Sequence, residues 1–200
     1  MKIGFFGGSF NPPTLAHTYL AKLAIDKIGL DKVIFVPIGD FYEKKELLPI
    51  DTRIKMIEII CNKESKFEVS DIEKNFKEKK YAIDIFKIIE DKFKKDDFYF
   101  LMGLDNFCKL PKWKNFEELK KYKYIVFERN EKIENKEVNG LSNVYFISTD
   151  ITKNISSTAI RNSVKNNNRI KDSKSSINNN SYKILDDDVE KFIYDNKLYM

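Results

Sequence analysis

Two hundred residues, 42% hydrophobic and 14% aromatic, suffice for one globular domain with a full-sized core. No apolar run nears the ~20 residues of a membrane span, and Met1-Lys2-Ile3-Gly4 opens a strand at once, so neither membrane anchor nor secretory leader is expected and the chain reads as cytoplasmic. The net charge of +5 rests on scattered lysines (Lys44-Lys45, Lys79-Lys80, Lys94-Lys95, Lys120-Lys121), which argues against a nucleic-acid surface, and Cys61 and Cys108 read as separate thiols without disulfide or zinc spacing.

In chain order, Ile3–Phe6 predicts a buried strand, and Leu15–Lys27 the helix after a short loop. Val33–Pro37 is a second apolar strand, ended by proline. Asp51–Asn62 has helical periodicity, with Asp51 placed to cap it. Phe67–Val69 is a short strand, Ala82–Phe93 an amphipathic helix, and Asp97–Met102 a strand ending at Gly103. Phe116–Lys121 follows as helix, then Tyr124–Phe127 and Val144–Ile147 as strands. Continuous apolar strands alternating with helices predict an α/β fold: a Rossmann-like, doubly wound parallel sheet with helices on both faces.

Lys165–Ser181 departs from this pattern, with six asparagines and four serines in 17 residues. It reads as a low-complexity insert. Asp186–Tyr199 then resumes as a C-terminal helix whose acids suit the positive end of the dipole.

Two segments have the chemistry of anion sites. In the first, Gly7-Gly8-Ser9-Phe10-Asn11-Pro12-Pro13-Thr14-Leu15-Ala16-His17, a strand ends in two glycines and a helix begins. Glycines let backbone approach an anion, and helix N–H groups point toward it. Thr14 and His17, the only histidine, share a helix face. In the second, Ile155-Ser156-Ser157-Thr158-Ala159-Ile160-Arg161, Ser156 or Ser157 caps a helix while the hydroxyls and Arg161 can grip phosphate.

Gly7–His17 resembles the signature of the nucleotidyltransferase superfamily, with Thr14 at its first helix position and Ala16 where glycine is usual. Ile155–Arg161 resembles that superfamily's phosphate-binding signature. Between them, Gly103-Leu104-Asp105, Trp113 and Arg129 resemble the nicotinate-nucleotide adenylyltransferases, as do Asp51–Met56 and Lys80–Asp84 more weakly. The resemblance implies one nucleotidyltransferase domain over residues 1–200, with 165–181 as an insert and 182–200 as a small helical end.

The implied reaction is adenylyl transfer from ATP, with Mg²⁺, to nicotinate mononucleotide, giving deamido-NAD and pyrophosphate. His17, Thr14 and Arg161 are then the catalytic residues. Gly7, Gly8, Ser9, Phe10, Ser157, Thr158 and Arg161 bind ATP. Gly103, Asp105, Trp113, Arg129, Tyr81 and Ala82 bind the pyridine nucleotide. The usual proline-proline-histidine-lysine run is replaced by Gly39-Asp40-Phe41-Tyr42-Glu43-Lys44-Lys45, so Lys44 or Lys45 supplies its charge, and Lys45 is taken for the site. Asp105 is also readable as a helix cap and Trp113 as a core residue. Nicotinamide mononucleotide or phosphopantetheine remains open as the acceptor, as do a non-catalytic nucleotide-binding role and a monomeric or homo-oligomeric state.

Overall fold

The computed structural model describes residues 1–42, 44–128, 140–149, 155–166, 175–177 and 180–200. Six parallel strands form the sheet: β1 (Lys2–Gly8), β2 (Lys32–Pro37), β3 (Phe67–Val69), β4 (Asp97–Gly103), β5 (Lys123–Glu128) and β6 (Val144–Ser148). Their spatial order is β3-β2-β1-β4-β5-β6, so the winding reverses between β1 and β4. Open α/β sheets bind ligands beyond the strand ends at such a reversal.

The strands read as unbroken apolar runs because both faces are covered. Alternation along β1 sends Ile3 and Phe5 to one core and Phe6 to the other. On the Phe6 side pack α1 (Leu15–Ile28), α2 (Ile50–Cys61), α6 (Ser157–Lys165) and α7 (Asp187–Asp195), through residues such as Leu20, Met56, Ile160 and Val189. On the Phe5 side pack α3 (Ala82–Lys92), α4 (Leu104–Phe107) and α5 (Phe116–Leu119), through Phe86, Phe107 and Leu119.

Several boundaries differ from the sequence reading. Pro49, not Asp51, stands at the cap position of α2; Asp51 lies in the first turn and pairs with Lys74 at 2.7 Å. Helix α7 is capped by Asp186, which accepts from the N–H groups of Asp188 and Val189, and it stops at Asp195 rather than running to Tyr199. Within the asparagine-rich segment, Ser175–Ile177 (β7) and Asn180–Tyr182 (β8) form an antiparallel pair, so a hairpin occupies part of what reads as a loop. Among the described residues no helix is long and apolar enough to cross a membrane.

Gly4 is where the central strand has no room. A Cβ there would sit 2.8 Å from Leu30 Cδ1 and 2.9 Å from Leu101 Cδ1. Gly4→Ala should therefore destabilise the fold by about 1–3 kcal/mol, as overpacking does. Urea denaturation checks this; an unchanged midpoint would mean that both leucines move aside freely.

Candidate active site

The site is built where β1 runs out. Gly7 and Gly8 belong to the strand, opposite Val36 and Pro37, and neither has a positive φ. What they supply is space. A Cβ on Gly7 meets nothing within 4 Å, whereas one on Gly8 would stand 2.9 Å from the Phe10 ring. The left-handed turn falls instead on Phe10, at φ 45°. Its ring is buried, edge-on to Phe6, His17 and Phe35. Phe10, expected among the ATP-binding residues, thus shapes the loop with its ring in the core. The next peptide, Asn11–Pro12, is cis.

Thr14 caps α1 and forms a reciprocal pair with His17. The Thr14 N–H donates to His17 Nδ1 at 2.9 Å, and Thr14 Oγ1 lies 2.8 Å from the same nitrogen. A backbone N–H can only donate, so Nδ1 must accept, and the proton of the neutral ring sits on Nε2. A helix cap thereby selects the tautomer of the only histidine.

The second segment docks on the same loop from 145 residues away. Ser156 is the cap of α6, accepting from Ala159 N–H at 3.1 Å, which leaves Ser157 to donate to the Pro12 carbonyl at 2.7 Å. Arg161 Nη1 donates to the Asn11 carbonyl at 2.8 Å, and Nη2 to Thr158 Oγ1 at 3.2 Å. Ser157, Thr158 and Arg161 thus gather around Asn11-Pro12, just ahead of the Thr14–His17 pair in the chain.

Asn11 itself was not singled out by sequence, although it lies inside the first motif. Its side chain is 4% exposed and fully engaged: Nδ2 donates to the Glu46 carbonyl at 2.7 Å, and Oδ1 accepts from Leu48 N–H at 3.3 Å and from Tyr199 OH at 2.8 Å. Beside it, the fully buried Arg53 donates to the carbonyls of Ser9 and Leu48 and to Asp40 Oδ1. Tyr199→Phe should lower stability by about 1 kcal/mol through the lost hydrogen bond. Thermal or urea unfolding checks this, and no change would remove Tyr199 from the anchor.

A cavity of about 530 Å³ opens on the other side of Gly7–Ser9. Tyr81 and Ala82 at the start of α3, and Trp113, line it. Lys44 lines it too and donates to Ser9 Oγ at 2.6 Å, while burial and then nearby Arg53 pull its pKa down. Lys45, one residue on and expected in the site, lies outside the wall. Likewise Asn106, not Asp105, lines the cavity; the Asp105 carboxylate folds back over Gly103, where a Cβ would meet its Oδ1 at 2.7 Å. The cap of α4 is Gly103, so Asp105 is not a cap either. Gly103 closes β4 outside the wall, and Arg129 lies outside the described residues. His17, Thr14, Ser157, Thr158 and Arg161 also lie outside it, in what their chemistry makes a phosphate-type cluster.

Glu73 is a further wall residue that sequence reading missed. It is 5% exposed, and its Oε2 accepts from Gly39 N–H at 2.9 Å. Burial pushes its carboxyl pKa up from 4.5, outweighing the Gly39 hydrogen bond and the charge of Arg53. A folded pKa raised above the unfolded one gives stability that is present below the unfolded value and lost as pH rises through the folded value. The wild-type protein should therefore lose stability relative to Glu73→Gln as pH rises from below 4.5 through that raised value. Urea midpoints for both proteins across that range check this; a constant difference would contradict it.

Comparison with known proteins adds to this geometry. Residues 5–163 match the cytidylyltransferase-like family. A probable nicotinate-nucleotide adenylyltransferase of Fusobacterium nucleatum is 37% identical over 178 residues, covering 83% of this chain and 89% of the relative. A protein of the same description from Clostridium acetobutylicum is 32% identical over 211 residues, covering 100% and 99%. Among solved structures, Plasmodium falciparum nicotinic acid mononucleotide adenylyltransferase complexed with NaAD superposes with a TM-score of 0.83 at 24% identity, over 99% of this chain and 97% of that one. That last likeness shows a shared fold.

Proposed function

This chain belongs to the cytidylyltransferase-like family and groups within it with nicotinate-nucleotide adenylyltransferases, and from that premise we propose how its site transfers an adenylyl group from ATP to nicotinate mononucleotide. The 5′-phosphate oxygen of the mononucleotide forms a bond to the α-phosphorus, and the bond to the bridging oxygen of pyrophosphate breaks. A phosphate monoester is already nucleophilic at neutral pH, so neither a general base nor a covalent intermediate is needed. Positioning and charge stabilisation carry the rate.

The observation that supports this reading best is the Thr14 N–H donated to His17 Nδ1, which puts the ring proton on Nε2 before any substrate arrives. A neutral imidazole held this way is a preorganised donor for charge growing on the α-phosphoryl group. Ser157, Thr158 and Arg161 would grip the β- and γ-phosphates, brought to the same place by their bonds to Pro12 and Asn11. Lys44 and the open face of Gly7 would receive the mononucleotide phosphate, with Trp113 and Tyr81 against the pyridine and Asn106 toward the ribose.

Mg²⁺ enters with the ATP. Among the described residues no three His, Cys, Asp or Glu side chains converge. Phosphate oxygens and water are the usual ligands of such an ion, and it is taken here as part of the co-substrate.

Pyrophosphate release with ATP against nicotinate mononucleotide, nicotinamide mononucleotide and phosphopantetheine in parallel tests the acceptor. Nicotinate mononucleotide should be turned over fastest; preference for another acceptor, or none turned over, would overturn the assignment. His17→Ala should lower kcat by about 10²–10³-fold, the range for a lost preorganised donor. Near-normal turnover in that variant would remove His17 from the chemistry while leaving the acceptor assignment intact.

A further inference from the structure

One contact in the phosphate-type cluster has no place in the transfer itself. Arg161 and Lys165 are four residues apart on α6 and so share one helix face. The Glu46 carboxylate lies between them: Oε1 accepts from Lys165 Nζ, and Oε2 is 3.5 Å from Arg161 Nε. Glu46 reaches there from the loop that carries Lys44, with its backbone left-handed at φ 63°. Asn11 Nδ2 fixes that backbone by donating to the Glu46 carbonyl.

A carboxylate and a terminal phosphate offer the same thing to a guanidinium and an ammonium, namely two or more anionic oxygens. Resting on the proposed reading of Arg161 as a phosphate ligand, we propose that Glu46 is a stand-in for the triphosphate, holding Arg161 and Lys165 until ATP displaces it. Arg161 stays oriented meanwhile, because Asn11 O and Thr158 Oγ1 hold its Nη atoms. Lys165 thereby becomes a phosphate contact in the ATP-bound protein. The Glu46 carboxyl is held below the usual carboxylate range by Lys165 first and Arg161 next, so it stays ionised and competitive at neutral pH.

The test is calorimetric titration of the whole protein with an α,β-methylene ATP analogue and Mg²⁺, comparing wild type with Glu46→Gln and Glu46→Asn. Gln keeps the shape without the charge. Asn also accepts the left-handed backbone comfortably, so one variant remains informative if the other folds poorly. Both should bind the analogue about three- to tenfold more tightly, the scale of losing competition from partly exposed ion pairs. Unchanged affinity would overturn the proposal. Weaker binding would overturn it too, making Glu46 a positioning residue for Arg161. A wild-type protein that fails to bind the analogue would instead defeat the functional reading, and this proposal with it.

Discussion

The side chain of one buried asparagine determines where the two halves of the site stand. Asn11 binds the 46–48 loop through Glu46 and Leu48, and the C-terminal Tyr199 through its hydroxyl, while its own carbonyl takes Arg161. An amide oxygen and nitrogen at this depth must be satisfied, since a buried unpaired polar group costs about 1–3 kcal/mol. The loop therefore has one conformation that meets every demand. In that conformation segments around residues 11, 46, 161 and 199 are held together, although the chain separates them by up to 188 residues.

From that constraint the chemistry follows in short steps. The left-handed Phe10 turns the chain out of β1 and seats its ring against Gly8, so a side chain at that glycine would collide with the turn. Pro12 then presents its carbonyl to Ser157, and Thr14 begins α1 with its N–H on His17. The tautomer of His17 is thus a consequence of helix capping. Ser9, on the cavity wall, is held at both ends, its carbonyl accepting from Arg53 and its hydroxyl from Lys44.

The sheet was legible in the sequence because parallel strands buried on both faces appear as uninterrupted apolar runs. Phe67–Val69 and Val144–Ser148 stand within a residue of where those runs put them. The helix starts of the two candidate segments were equally legible, since each combines a cap with hydroxyl or glycine residues. What composition and spacing could not resolve was which of two adjacent residues faces inward. Lys44 lines the cavity and donates to Ser9 where the adjacent Lys45 does not, and Asn106 lines it where Asp105, in the same four-residue helix, does not. Glu73 and Glu46 gave no local signal. Their roles come from contacts with Gly39, Arg161 and Lys165 that exist only after folding.

If the Asn11 loop is what assembles the site, a variant that loosens it should damage catalysis without touching a catalytic group. Measuring kcat/KM for ATP in Asn11→Ala and Asn11→Asp, at a temperature where circular dichroism shows both folded, tests this most directly. Aspartate keeps an acceptor for Leu48 N–H and Tyr199 OH, whereas alanine keeps none. The alanine variant should fall at least about tenfold, and the aspartate variant by less, since its carboxylate keeps those two acceptors but turns an oxygen toward the Glu46 carbonyl where Nδ2 donated. A folded alanine variant with wild-type kcat/KM would contradict the account.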